Sequence, residues 1–222
     1  MYNWLFYSDT YMPLLALVTY LLLWNKISKK ELILFYYLVL NVILFYITNV
    51  MAQKGIHNVF LYHFYSLTEM AIISFYILRG LLGKSLKLVI TLVAGYFILW
   101  ILNILFLEPL TQFNSNSLTL TNFLLLLLAM YYMLELSKKD EILYFQRLPT
   151  FWIVSGFLVG CAISTLSIVA YRFFTLQGRK SEGELAWVIV AVAIIIKFAL
   201  ITIGLLCYKR PRHYTRHSHL LL

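Results

Sequence analysis

Charge is the scarcest ingredient of this chain. Only 12% of its 222 residues are Asp, Glu, Lys or Arg, about half the share a soluble domain carries. Apolar residues make up 62% and the mean hydropathy is +0.84. A soluble fold of this length cannot hide so much apolar surface, so the composition excludes one and assigns the covering to lipid. Cysteine is almost missing. Cys161 and Cys207 fall in apolar runs at different depths, which excludes a disulfide framework and leaves them as small packing residues. Proline is rare too, four in all. The apolar runs are expected to be free of it, which withholds support from the broken helices of many transporters. No internal repeat is visible. The chain has no His-Glu-x-x-His, no Gly-x-Ser-x-Gly, no glycine-rich phosphate loop and no Cys-x-x-Cys, so no catalytic residue, metal ligand or cofactor is expected.

What is present is a succession of apolar runs. Seven are long enough for the roughly 20 helical residues that cross a hydrocarbon core, near 4–24, 32–51, 57–79, 85–107, 117–137, 150–174 and 185–208. The expected fold is therefore all-α: a polytopic, seven-transmembrane-helix bundle over 1–208, followed by a basic tail, 209–222. The first run has an acidic flank at Asp9 and no small-residue cleavage site before Trp24, so it reads as a span and not a signal peptide.

Acidic residues are outnumbered and the formal charge is +9, but the basic residues lie in short clusters between the runs, where they touch anionic lipid and not nucleic acid. One set of connections holds Lys26, Lys29, Lys30, Arg79, Lys84, Lys87, Lys138, Lys139, Arg147, Lys209, Arg210, Arg212 and Arg216. The other holds only Lys54, Arg172, Arg179 and Lys180. The excess puts the C-terminus in the cytoplasm and the N-terminus outside a cytoplasmic (inner) membrane. Aromatic residues at the run ends, including Tyr2, Trp4, Phe6, Tyr7, Phe151, Trp152 and Trp187, read as interfacial belts. The tail histidines His213, His217 and His219 lack the fixed geometry of a metal site.

Two charges stand near the middle of the runs. Glu69 lies thirteen residues past Ile56 and Lys197 thirteen past Glu184, about 20 Å into their helices at about 1.5 Å per residue. Their shared depth predicts an ion pair, which offsets part of the roughly 2.5–3.5 kcal/mol cost of each intramembrane charge. Asn58, Tyr62, Tyr65 and Glu69 are spaced four, three and four apart, one polar stripe on a helix. With Asn41 of the second run they complete the expected polar core and candidate ligand site. Asn103, Asn122 and Ser164 are further polar residues expected to bond across helices. His63 falls on another face, six residues from Glu69, which argues against a membrane acid-base enzyme built from the two. Gly156-x-x-x-Gly160-x-x-x-Ser164 predicts a close helix contact inside the bundle.

Two resemblances bear on function. MYNWLFYSDTYMPLL at the start and LYHFYSLTEM in the third run resemble a group of uncharacterised bacterial seven-span membrane proteins, some encoded beside sensor kinases. That implies a receptor-like or sensory protein with a cytoplasmic signalling partner; with no soluble domain and no catalytic motif, the chain is expected to have no enzymatic activity of its own and to reach that partner through residues 138–148 and the tail. An acid in the third run and a lysine in the seventh also resemble retinal proteins, though Ala193 stands where the microbial family has an Asp. Proton or ion conduction through the Glu69–Lys197 pair is the other alternative.

Overall fold

A computed structural model describes residues 8–138 and 145–209. The expectations for Tyr2, Trp4, Phe6, Tyr7, Lys139 and the tail from Arg210 onward, with its histidines, lie outside these residues. The described chain is entirely helical, with seven α-helices and no strand. They are α1 (Ser8–Leu22), α2 (Leu32–Gln53), α3 (Val59–Ser74), α4 (Leu86–Phe106), α5 (Ser115–Ser137), α6 (Pro149–Leu176) and α7 (Lys180–Cys207). Five of them are long and apolar enough to cross a membrane: α2 with the turn before it, α4, α5, α6 and α7.

The other two are shorter over the described residues. α1 is 15 residues long in the described chain and contains Pro13, so the expectation of proline-free runs fails there. The ring removes one backbone hydrogen bond from the helix. α3 stops at Ser74 and continues as a π-helix, Phe75–Leu81. This wider turn carries Tyr76, whose hydroxyl donates to Glu31 Oε2 at 2.5 Å.

Connections are short. Gly55 and Gly178 close α2 and α6 with φ of 67° and 73°, a left-handed stop that costs glycine no steric strain. Ser85 Oγ accepts the Leu88 amide at the start of α4, a serine N-cap.

Packing places α1 against both α2 and α7, α3 against α2 and α5, and α6 between α5 and α7. α4 lies outside this ring, against α3 and α5, with 22% of its most apolar window buried. Its Leu88, Ile90, Phe97, Ile98 and Leu102 face outward, the greasy rim a lipid-facing helix presents.

The tightest seam is α6 on α7. A Cβ on Gly156 would stand 2.6 Å from the Lys197 carbonyl oxygen, and one on Gly160 2.8 Å from Lys197 Cβ. The small-residue ladder thus works inside the bundle, as expected. Gly204 of α7 answers it from the other side, where a Cβ would meet the Pro149 carbonyl at 2.7 Å.

Candidate functional site

Three buried carboxylates mark three levels of the bundle. At one end Glu108, just past α4, is 2% exposed. Its Oε1 accepts from Ser115 Oγ at 2.6 Å and from Arg172, and its Oε2 accepts from the Asn116 amide at 2.9 Å and Asn103 Nδ2 at 3.1 Å. The carboxylate therefore caps the positive N-terminus of α5 while holding an arginine from α6. At the other end Glu31 accepts from Tyr76 and, at 2.8 Å, from Tyr208 past the end of α7. Around that end Lys84 and Lys138 are solvated, and both are pushed above the usual lysine range. Hydrogen bonding to Tyr131 does this for Lys84, and hydrogen bonding to Glu135 for Lys138.

Between them lies Glu69, 2% exposed. Lys197 Nζ donates to its Oε1 at 3.1 Å. Tyr37 and Tyr65 donate to the same oxygen, each at 2.8 Å. The lysine stem runs along Gly160, where any side chain would fill its path. Its ammonium lies 5.2 Å from the Phe198 ring centre and 5.8 Å from that of Tyr37, within cation–π reach.

Asn41 joins through Tyr65, whose hydroxyl stands 3.0 Å from Asn41 Oδ1. The amide orientation is set by Asn41 Nδ2, which donates to the Tyr37 carbonyl at 2.7 Å. Tyr65 has one hydrogen for two acceptors. With an ionised Glu69 the hydrogen serves either the carboxylate or the amide, and the other contact lacks a proton.

The remaining expected residues are placed differently. Tyr62 lines the same recess as Glu69 and Lys197, one level higher, and its carbonyl accepts from Asn114 Nδ2 at 2.7 Å. Asn58 belongs to the α2–α3 junction and not to the core: it stands just before α3, and its Nδ2 donates to the Thr48 carbonyl at 2.8 Å. Asn103 does bond across helices, to Ser117 of α5 at 3.0 Å, whereas the Asn122 amide nitrogen turns to Leu118 of its own helix. His63 is fully buried off the stripe, with Nε2 on the Gln112 carbonyl at 2.9 Å.

Tyr37, Glu31 and the Glu108–Arg172 pair were not singled out in the sequence. Tyr37 had one signal, a position four residues before Asn41 on the same helix face.

Beside the pair lies a recess in two parts. Its upper part, about 250 Å³, is lined by Tyr62, Phe113, Tyr171, Glu184 and Trp187. The lower part, about 50 Å³, shares Tyr62 and Trp187 with it and ends on Glu69 and Lys197. Trp187, expected in an interfacial belt, instead turns inward onto Phe113 and Tyr171, with ring centres 5.6 and 5.3 Å away. Among the described residues no group of three His, Cys, Asp or Glu gathers as a metal site. No family model, curated protein or solved structure matches this chain.

Proposed function

We propose that this chain is a receptor-like or sensory integral membrane protein that relays a signal to a cytoplasmic partner. In this reading all seven helices span a cytoplasmic (inner) membrane, with the Glu108 end outside and the lysine-rich Glu31 end in the cytoplasm, next to anionic lipid. One observation carries it: two cavities that share Tyr62 and Trp187 lie beside a buried ion pair contributed by α3 and α7, and the smaller is lined by both members of that pair. Those two helices also end at Glu31, through Tyr76 on the π-helical extension of α3 and Tyr208 after α7. A change in how Glu69 meets Lys197 alters the relation of α3 to α7, and the same two helices carry it to the cytoplasmic end.

Photo-crosslinking in native membranes tests the relay. A crosslinker in the α5–α6 connection should capture a cytoplasmic protein, and Glu69→Gln should change the yield several-fold. No adduct from that face in either chain would defeat the reading.

Proton conduction is a second reading, favoured by the single-hydrogen geometry at Tyr65 and by a space of about 50 Å³ next to Lys197, room for one or two waters at the ~30 Å³ each occupies in the liquid. It predicts a proton flux in liposomes that Glu69→Gln abolishes while the fold persists; equal flux in both would rule it out. The retinal reading has its acid and lysine in contact but draws no support from that space, well below the ~300–1,000 Å³ of ordinary ligand pockets.

A further inference from the structure

We infer that the upper recess binds a small organic cation, a quaternary ammonium or alkylated amine group, on the faces of Tyr62, Phe113, Tyr171 and Trp187 with Glu184 as its counter-charge. The inference rests on the sensory reading and names the class of ligand for that recess.

Four aromatic rings from four parts of the chain converge here: α3, the α4–α5 connection, the end of α6 and the start of α7. Phe113 is the hub, with ring centres 6.2 Å from Tyr62, 5.4 Å from Tyr171 and 5.6 Å from Trp187. Tyr171 and Trp187 meet Phe113 nearly edge-on, at interplanar angles of 74° and 79°. Rings set at such angles turn π faces in several directions about one space, and each face carries the negative lobe of its quadrupole. A cation without N–H donors to satisfy is the ligand such walls suit best, because attraction to the faces needs no hydrogen bond. The volume, about 250 Å³, admits a small headgroup and little more.

The charges at this end agree. Arg172 is held by Glu108, and Arg179 by Glu182 at 2.7 Å. Glu184, exposed at the rim, makes no ion pair among the described residues, including with Lys180 one turn earlier on α7. The recess therefore has one carboxylate with no cation of its own. An interfacial belt would point its rings toward lipid and would need no acid beside them.

A quaternary ammonium can arrive as a free solute or as the headgroup of a choline lipid. The test is calorimetric titration of the full chain, in nanodiscs of phosphatidylglycerol, with choline and with its neutral isostere 3,3-dimethylbutan-1-ol. Choline should bind saturably and at least about tenfold more tightly than the alcohol. Glu184→Gln and Trp187→Leu should each weaken choline by about fivefold or more, while Glu182→Gln leaves it unchanged. Glu184 is exposed, so its variant keeps the fold, and thermal unfolding verifies this. Repeating the titration in phosphatidylcholine nanodiscs assigns the source: retained binding marks a soluble cation, and lost binding marks an occupying lipid headgroup. Equal affinity for the alcohol, no saturable heat, or full binding by Glu184→Gln would overturn the inference. Those results leave the relay untouched if the cytoplasmic crosslink still depends on Glu69.

Discussion

Glu69→Leu is expected to destabilise the bundle by about 3–5 kcal/mol, because it leaves one member of a buried ion pair without the other. The stranded ammonium has Tyr37 and Phe198 as ring neighbours, at 5.8 and 5.2 Å, but no carboxylate. It must shed its charge or draw water into a space of about 50 Å³. The hydroxyls of Tyr37 and Tyr65 lose their shared acceptor at the same time. Adding Lys197→Met should recover most of the loss, since two apolar side chains of similar length replace the pair and nothing charged is left buried. Unfolding in mixed detergent micelles, followed by circular dichroism, measures all three chains. A single variant as stable as the parent, or a double variant no better than the single, would show that the pair carries little of the packing.

The second large effect is steric. Gly156→Val should cost about 1–3 kcal/mol, the usual range for overpacking, and should push α7 away from α6. The reason is what the new Cβ meets: the Lys197 carbonyl oxygen at 2.6 Å, part of a helix backbone that cannot rotate aside. Gly160 is crowded by the lysine stem instead, with Cβ, Cγ and Cδ between 2.8 and 3.3 Å. Substitution there evicts the side chain that reaches Glu69. Gly95 in α4 is the control, because nothing lies within 4 Å of a Cβ at that position. Gly95→Ala should be neutral or stabilising by up to about 1 kcal/mol, as for any exposed helical glycine. If Gly156→Val and Gly95→Ala behave alike under the same unfolding assay, the α6–α7 seam is not the tight contact described.

The glycine seam also explains how the ion pair comes about. Lys197 has a long stem with several rotatable bonds, and a carboxylate two helices away is a small target. Gly160 opens a channel one side chain wide along α6, and the lysine lies in it. Tyr37 and Tyr65 then approach the same carboxylate oxygen from α2 and α3. Three helices are tied at one atom.

By itself the sequence determined the composition of the solution: helices, apolar on nearly every side, with only Glu69 and Lys197 charged near mid-span. It also placed Glu69 and Lys197 at one depth, because rise per residue is constant along a helix and counting is enough. The Gly156–Gly160 face could be read the same way, since periodicity says which residues share a side. Periodicity does not say which helices are neighbours or how each is rotated toward the next. Only the tertiary structure decided that Tyr37 joins Glu69, that Asn58 does not, that Gly204 completes the α6–α7 contact, and that Glu108 meets Arg172. It alone turned Trp187 and Phe113 inward to make a recess. Those outcomes depend on contacts between residues as much as 177 positions apart, as for Tyr208 and Glu31, and no local pattern of side chains encodes such a meeting.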